Sequence, residues 1–294
     1  MLHPIELTCI QEIAHLRGPI LDLFFKFLNF FDRQEFFFIL IPTVWLGSGW
    51  RTGLRLFYVL LASNLVNHAL KECFVLPRPF HIDPSLGVVD VAGYGLPSGA
   101  AQTAVLLAGL ALSVWKHKHR WFFAVLYVSL ISFSRLYLGV HFPSDVLVGW
   151  CLGFAVFGLC TSLLPRMESL LVKLKPWYLL VLSQVGALLL LLWELSAPII
   201  RASGVCMGVG VGTFLSHFSV KGLPEAVRWR DYMLRGCVGA LGTFLCHALT
   251  LFFPKSDALM GILPRFFLLG IWVSFGNPFL CRRFFGARSI RPLA

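Results

Sequence analysis

The chain has 294 residues, of which 57% are hydrophobic and 13% are charged, and its mean hydropathy is +0.78. A soluble domain has about 25% charged residues, so this composition excludes an ordinary soluble protein. The net charge of +11 comes largely from basic residues that lie between apolar segments. It is an orientation signal for a membrane protein, and we expect no nucleic-acid partner.

The first 34 residues form an amphipathic segment. Large apolar side chains recur at helical spacing between positions 20 and 31, interrupted by Asp22 and Lys26. We expect residues 5–33 to lie in the membrane interface, although a tenth full span at 18–34 is the alternative. No basic start followed by an apolar run is present, so we expect no cleavable signal.

Nine apolar segments follow, with lengths near the roughly 20 residues that a spanning helix needs. They lie at residues 35–50, 54–70, 98–115, 121–138, 143–164, 177–194, 199–219, 236–253 and 262–280. The expected fold class is therefore all-α, a polytopic transmembrane bundle of about nine spans. Residues 35–165 form the predicted core, and residues 166–294 form a four-span extension without an assignable motif.

Basic residues divide unequally between the two sides of this nine-span layout. One side receives 16 of the 25 Lys and Arg residues, and the positive-inside rule places that side in the cytoplasm. These 16 are Arg51, Arg55, Lys116, Lys118, Arg120, Arg166, Lys173, Lys175, Lys221, Arg228, Arg230, Arg235, Arg282, Arg283, Arg288 and Arg291. The polar motifs described next then lie on the opposite face, which is periplasmic or luminal.

The first motif runs from Lys71 to Pro79 after the second span. Its prolines break the helix and hold the loop extended, so that Arg78 can turn back over the membrane surface. Taken alone, the two cations are also explained as interfacial anchors that reach lipid headgroups. His81 and Asp83, just beyond, are expected to be polar loop residues and not catalytic ones.

The second motif, Pro97-Ser98-Gly99, opens the third span. Ser is a good helix cap, and Gly lets an anion approach the backbone closely. Free N–H groups and the positive end of the helix dipole would form a phosphate cradle. An ordinary helix cap is the alternative.

The third motif is the most specific of the three. Ser134 and Arg135 end one span, and His141 precedes Pro143 and Asp145 at the start of the next. Pro suits the first turn of a helix, which places the carboxylate within reach of the imidazole. A carboxylate bonded to one ring nitrogen fixes the tautomer and leaves the other nitrogen free to attack.

In this order, the motifs K-x6-R-P, P-S-G and S-R-x5-H-x3-D resemble the signature of the type-2 phosphatidic acid phosphatase superfamily, over about residues 35–165. The resemblance implies ligands for the phosphoryl oxygens, a nucleophile and a carboxylate that orients it, with no metal or other cofactor. By this resemblance, the ligands are Lys71, Arg78 and Arg135, helped by Ser98 and Gly99. The nucleophile is His141, and the carboxylate that orients it is Asp145. The nine-span layout is similar to the glucose-6-phosphatase and sphingosine-phosphate phosphatase branches.

One position departs from the family pattern. Members normally have P-S-G-H, whose histidine protonates the leaving oxygen, and this chain has Ala100. A methyl group cannot donate a proton, and general-acid catalysis is commonly worth about 10²–10⁴ in rate. We therefore expect an inactive or very slow enzyme, either engineered to trap a substrate or intermediate or a natural pseudo-enzyme.

The expected function is hydrolysis of a membrane lipid phosphate through a phosphohistidine. The motifs lie at span ends, so a lipid could keep its tails in the bilayer. This favours phosphatidate, phosphatidylglycerophosphate, a polyprenyl (di)phosphate or a sphingoid phosphate. Two alternatives stay open: an enzyme like glucose-6-phosphatase that acts on a soluble ester, and a non-catalytic lipid-binding or transport homologue.

Two further patterns concern the cysteines and the glycines. None of the eight cysteines forms a C-x-x-C pair, so we expect no zinc or redox site. Gly204, Gly208 and Gly212 recur every four residues, which predicts close helix packing. A lipid or ion path is the alternative interpretation of the glycines.

Overall fold

The computed structural model describes residues 3–219, 226, 228–252 and 261–285. Within these ranges the chain is helical and contains no strand. The helices are α1 His3–Ala14, α2 Pro19–Leu28, α3 Gln34–Gly47, α4 Trp50–Phe74, α5 Pro79–Ile82, α6 Gly99–Val114, α7 Arg120–Tyr137, α8 Pro143–Leu171, α9 Pro176–Trp193, α10 Ala197–Ser219, α11 Trp229–Thr250, α12 Leu263–Ile271 and α13 Asn277–Phe285. Short 3-10 turns lie at Asn29–Asp32 and Pro84–Leu86, and a π turn lies at Trp272–Gly276.

Five helical segments of the described residues are long and apolar enough to cross a membrane. They are Trp50–Ile82, Pro143–Leu171, Pro176–Trp193, Ala197–Ser219 and Trp229–Thr250. All nine predicted segments fall on helices, but α3 and α6 have only 14 and 16 residues. The count of nine spans therefore stays a prediction. Of the 16 basic residues used for orientation, Lys221, Arg288 and Arg291 lie outside the described ranges.

The last predicted span differs from the structure in continuity. In place of one helix over 262–280, the chain forms α12, the π turn and α13. The Ser274 hydroxyl donates a hydrogen bond to the Gly270 carbonyl oxygen, 2.7 Å away, next to this irregular turn. Asn277 donates through its side-chain amide to the Gly239 carbonyl oxygen at 3.2 Å. Side-chain hydrogen bonds to helix carbonyl oxygens often accompany a local break in the regular helix pattern, such as a π turn.

The described residues group into two compact units, of which the first comprises Met1–Phe36 and Val59–Pro165. Its apolar core contains Phe25, Leu28, Ala100, Ala104, Ile131, Tyr137, Leu138 and Val140. The rings of Phe25 and Tyr137 lie 4.2 Å apart, so α2 packs directly on α7. Asp22, which interrupts the apolar pattern of α2, accepts a 2.6 Å hydrogen bond from the Tyr137 hydroxyl.

The second unit comprises Phe37–Tyr58 and Arg166–Ala294. In it, α10 packs against α9 and α12. A Cβ added at Gly204 would lie 2.7 Å from the Leu263 carbonyl oxygen, and one at Gly208 would lie 3.0 Å from the Gly270 Cα. Only glycine permits these approaches, which confirms close packing as the role of the glycine series.

Candidate active site

The turn between α7 and α8 determines how the third motif folds. The Gly139 N–H donates to the Leu136 carbonyl oxygen at 3.0 Å, and the Val140 N–H donates to the Arg135 carbonyl oxygen at 3.1 Å. This pair of bonds is the Schellman arrangement, which needs a left-handed residue after the helix. Gly139 provides it with φ of 69°. The chain reverses there, so His141 returns toward the end of the helix that contains Arg135.

The start of α8 positions the histidine. Pro143 is the first residue of the helix, and Asp145 Oδ2 accepts a 2.9 Å hydrogen bond from the Phe142 backbone N–H. That bond ties the carboxylate to the turn that precedes the helix. The same oxygen lies 3.3 Å from His141 Nδ1. With the proton on Nδ1, His141 donates to Asp145, and its Nε2 is unprotonated.

Arg78 is almost completely buried and is the cation in contact with the imidazole. Its Nη1 lies 3.3 Å from His141 Nε2 and donates to the Val140 carbonyl oxygen at 2.9 Å. Nε and Nη2 donate to the carbonyl oxygens of Gly93 and Ala92 at 2.8 and 3.2 Å. The guanidinium therefore joins the loop before α6 to the turn before α8.

Lys71, at the end of α4, binds the same loop. Its Nζ donates to the carbonyl oxygens of Tyr94 and Gly95 at 2.6 and 3.1 Å. A Cβ at Gly95 would lie 3.2 Å from Asp145 Oδ2, so this loop passes directly over the His–Asp pair. The first and third motifs therefore meet across residues 92–95.

The second motif begins α6, as expected. Ser98 is the N-cap, and its Oγ accepts from the Ala101 N–H at 3.5 Å. Its own N–H donates to the Asp145 carbonyl oxygen at 3.0 Å, which brings the start of α6 to the start of α8. The N–H groups of Gly99 and Ala100 are the first two of the helix and have no intrahelical partner.

A buried amide pair fixes α6 against α4. Gln102 donates through Nε2 to the Ser63 carbonyl oxygen at 2.9 Å, and its Oε1 accepts from Asn67 Nδ2 at 2.8 Å. Both amides are buried, and buried polar groups of this kind specify one arrangement when they are satisfied. The pair holds the helix N-terminus of the second motif in place.

Arg135 is 1% exposed and has a different set of partners from Arg78. Its Nη1 donates to Asn29 Oδ1 at 2.8 Å and to Asp32 Oδ2 at 3.3 Å. Its Nη2 is buried without a hydrogen-bond partner among the described residues. A buried guanidinium nitrogen without an acceptor is costly, and an anionic ligand would satisfy it.

The electrostatics around His141 favour its neutral form. Burial lowers the pKa of the imidazole well below its usual value, and the nearby charges of Arg78, Lys71 and Arg135 lower it further. At neutral pH the ring is therefore unprotonated. The three cations are thus close enough to act together on His141, although the Arg135 side chain is bonded to the N-terminal segment.

Two residues beyond the first motif have local roles. The Arg78 backbone N–H donates to His81 Nδ1 at 3.3 Å, and Asp83 accepts from the Ser85 N–H and hydroxyl at 3.1 and 2.6 Å. These bonds cap the short helix and the 3-10 turn. His81 is therefore part of the short helix α5 and not of a loop, whereas Asp83 lies between α5 and the 3-10 turn. That neither residue is catalytic stays a prediction.

The N-terminal segment contributes side chains that the motif analysis missed. Besides Asn29 and Asp32, Glu6 accepts from the Ser144 N–H and hydroxyl at 2.8 and 3.1 Å. A usable signal was present for one of them, because Asn29 follows Asp22 by seven residues, which is close to one side of a helix. Nothing comparable marks Glu6.

Comparison with known proteins identifies the family. Residues 52–168 match the model of the PAP2 superfamily, and residues 200–289 match the transmembrane extension of PAP2 superfamily phosphatases. An undecaprenyl-diphosphatase of Sulfolobus acidocaldarius is 30% identical over 154 residues, which cover 50% of this chain and 70% of that protein. The chain belongs to the PAP2 superfamily. The resemblance inferred from the three motifs is confirmed.

Two further PAP2 proteins are similar to this chain over about half of its length. Lipid phosphate phosphatase delta of Arabidopsis thaliana is 27% identical over 177 residues, which are 54% of this chain and 42% of that protein. This chain thus spans less than half of the plant protein. A crystal structure of a transmembrane PAP2-type phosphatidylglycerolphosphate phosphatase from Bacillus subtilis is 24% identical, covers 56% of this chain and 87% of its own, and has a TM-score of 0.48.

The PAP2 matches also correct one expectation. Residues 166–294 contain no motif that could be assigned from the sequence, yet residues 200–289 match the PAP2 transmembrane extension. The protein is a membrane member of the superfamily, and its named relatives are lipid phosphatases.

Proposed function

We propose that this PAP2 protein is an integral membrane phosphatase that hydrolyses a lipid phosphate through a phosphohistidine at His141. One observation carries the proposal: Arg78 Nη1 lies 3.3 Å from His141 Nε2, while Nδ1 of the same ring lies 3.3 Å from Asp145 Oδ2. A cation at the attacking nitrogen and a carboxylate behind the ring suit attack on an anionic phosphorus centre.

The nucleophile is Nε2 of neutral His141. Asp145 holds the tautomer and stabilises the positive charge that forms on the ring as the N–P bond forms. The Nη1–H group of Arg78 contacts Nε2. When substrate binds, that N–H is free to turn from the ring nitrogen to a phosphoryl oxygen.

The phosphoryl oxygens are held by Arg78, Arg135 and Lys71 with the N-terminus of α6. Phosphoryl transfer spreads negative charge over the equatorial oxygens, so catalysis depends on placed positive charge. Nη2 of Arg135, which has no hydrogen-bond partner among the described residues, supplies one donor. The first N–H groups of α6, which lack intrahelical partners, supply others. This arrangement needs no metal.

The leaving group receives no proton from position 100. Ala100 is buried among apolar residues, and its methyl side chain offers no proton donor. An alkoxide is a poor leaving group without a proton. The chain therefore hydrolyses alkyl phosphates slowly unless another side chain in the site acts as the acid.

Substrate access follows from the position of the motifs at helix ends. We place the site on the periplasmic or luminal face, residues 1–34 in the interface, and the catalytic core and the C-terminal extension at 35–165 and 166–294, with about nine spans. In α2, Ile20, Leu23 and Phe27 are exposed while Phe25 and Leu28 are buried. An apolar outer face supports contact with lipid, which favours substrates with tails in the bilayer.

Removing Arg135 should weaken anion binding even without turnover. Charge-assisted bonds to phosphate oxygens do not depend on the missing acid, and each is worth about 1.5–3 kcal/mol. We expect Arg135→Ala to bind vanadate about 10- to 100-fold more weakly by calorimetry. Arg120→Ala, at the other end of α7, is the matched control and should bind as wild type. Unchanged affinity in Arg135→Ala would reject its assignment as a phosphate ligand.

A phosphate-release panel tests the proposed function. The purified protein in detergent, with a chelator present, is given phosphatidate, a polyprenyl diphosphate, a sphingoid phosphate, an aryl phosphate and glucose 6-phosphate, with His141→Ala as the blank. We expect release from at least one lipid phosphate and from the aryl phosphate. Release from the sugar phosphate that lipid phosphates cannot inhibit would assign a soluble substrate. No release from any compound would assign a non-catalytic role.

A further inference from the structure

The N-terminal segment places a carboxylate at the phosphate-binding arginine. The 3-10 turn Asn29–Asp32 packs against α6 and α7. Asp32 Oδ2 lies 3.3 Å from Arg135 Nη1, and the Asp32 side chain is 35% exposed whereas that of Arg135 is 1% exposed. Asp32 therefore lies between a buried guanidinium and the outside of the protein.

The same segment fills the space beside position 100. Ala100 is 4% exposed and belongs to one apolar cluster with Phe25 and Leu28 of α2. The turn that contains Asp32 follows Leu28 directly. The turn itself packs against α6, whose first turn contains position 100. The histidine that usually donates the proton in the family is absent at position 100, and the neighbouring N-terminal segment contains another ionisable group, Asp32.

The environment of Asp32 suits a group that changes protonation during the reaction. Partial burial raises the pKa of the Asp32 carboxyl, while the charges of Arg135, Arg78 and Lys71 oppose the increase. A bound phosphoryl group occupies those cations and adds negative charge next to the carboxylate. Both effects increase its affinity for a proton, which its exposed side can take from solvent.

We propose that Asp32 is the general acid of this enzyme and replaces the histidine that the family has at position 100. This inference rests on the proposed function. As His141 Nε2 bonds to phosphorus and the P–O bond breaks, the Asp32 carboxyl proton passes to the leaving oxygen and yields the alcohol. The Asp32 carboxylate then accepts a proton from the water that attacks the phosphohistidine. Phosphate, free His141 and the protonated carboxyl result.

The test compares substrates that differ in leaving group. An alkyl phosphate needs a proton on its leaving oxygen, whereas an aryl phosphate leaves as a stabler anion. We expect Asp32→Asn to lower kcat on an alkyl phosphate by at least about 100-fold and to affect the aryl phosphate far less. Asn29→Ala is the matched control. It removes a contact to the same Arg135 nitrogen but no ionisable group, so it should change the alkyl and the aryl rates by the same factor.

A second variant keeps the inference testable if Asp32→Asn disturbs the turn. Adding Ala100→His to Asp32→Asn supplies an imidazole at the family position and should restore the alkyl rate selectively. The acid role of Asp32 would be overturned if Asp32→Asn lowered kcat on the alkyl and the aryl phosphate by the same factor. It would also be overturned if Asn29→Ala lowered the alkyl rate relative to the aryl rate as much as Asp32→Asn does. Absence of His141-dependent turnover in the wild-type chain would instead overturn the proposed function.

Discussion

His141→Ala is expected to abolish phosphate release from alkyl and aryl esters alike. Removal of a covalent nucleophile costs on the order of 10⁴- to 10⁶-fold in kcat when no other group can replace it. His141 is 4% exposed, and its ring contacts the side chains of both Arg78 and Asp145. The variant therefore leaves no imidazole between these two side chains. Release is measured with an aryl phosphate and a lipid phosphate.

Asp145→Asn is the variant to compare with His141→Ala. An amide keeps the shape of the carboxylate but loses its charge, so the imidazole is less well held in the productive tautomer. We expect a large but smaller loss of kcat than in His141→Ala, with similar vanadate affinity. Turnover of His141→Ala within tenfold of the wild-type rate would mean that the nucleophile lies elsewhere.

Arg78→Ala is expected to have the second-largest effect. The guanidinium donates to the carbonyl oxygens of Gly93, Ala92 and Val140 and contacts the attacking nitrogen of His141. Its loss removes positive charge from the transition state and releases the loop over the His–Asp pair. Losing one preorganised donor costs about 10²–10³ in kcat, and we expect a loss at the upper end of that range.

Arg78→Lys separates charge from geometry. Lysine keeps the positive charge, but it cannot reach several carbonyl oxygens in the fixed directions of a guanidinium. We expect it to recover vanadate binding in part and kcat hardly at all. Full recovery of kcat in Arg78→Lys would show that only charge matters at this position.

The sequence was informative where function requires particular residue types at helix ends. The start of α6 at Gly99, the end of α7 near Arg135 and the start of α8 at Pro143 could be predicted, because proline, glycine and Ser caps have local effects. The His141–Asp145 contact follows from a four-residue spacing. These features depend on local chemistry, which a single sequence reveals.

Contacts over long sequence separations could not be predicted in the same way. Arg135 binds Asn29, 106 residues earlier, and Glu6 caps the helix that begins at Pro143. The amphipathic pattern of α2 suggested only a surface helix, and Asp22 was interpreted as an interruption when it is a partner of the Tyr137 hydroxyl. Tertiary packing of the N-terminal segment determines these contacts.

The most direct measurement is a rapid-quench experiment with a substrate that bears radiolabelled phosphate. The reaction is stopped in alkali, where phosphohistidine survives, and the labelled peptide is mapped by mass spectrometry. The account predicts label on His141 that forms before free phosphate and is absent from His141→Ala. Phosphate release without a labelled His141 peptide, or label on another residue, would contradict it.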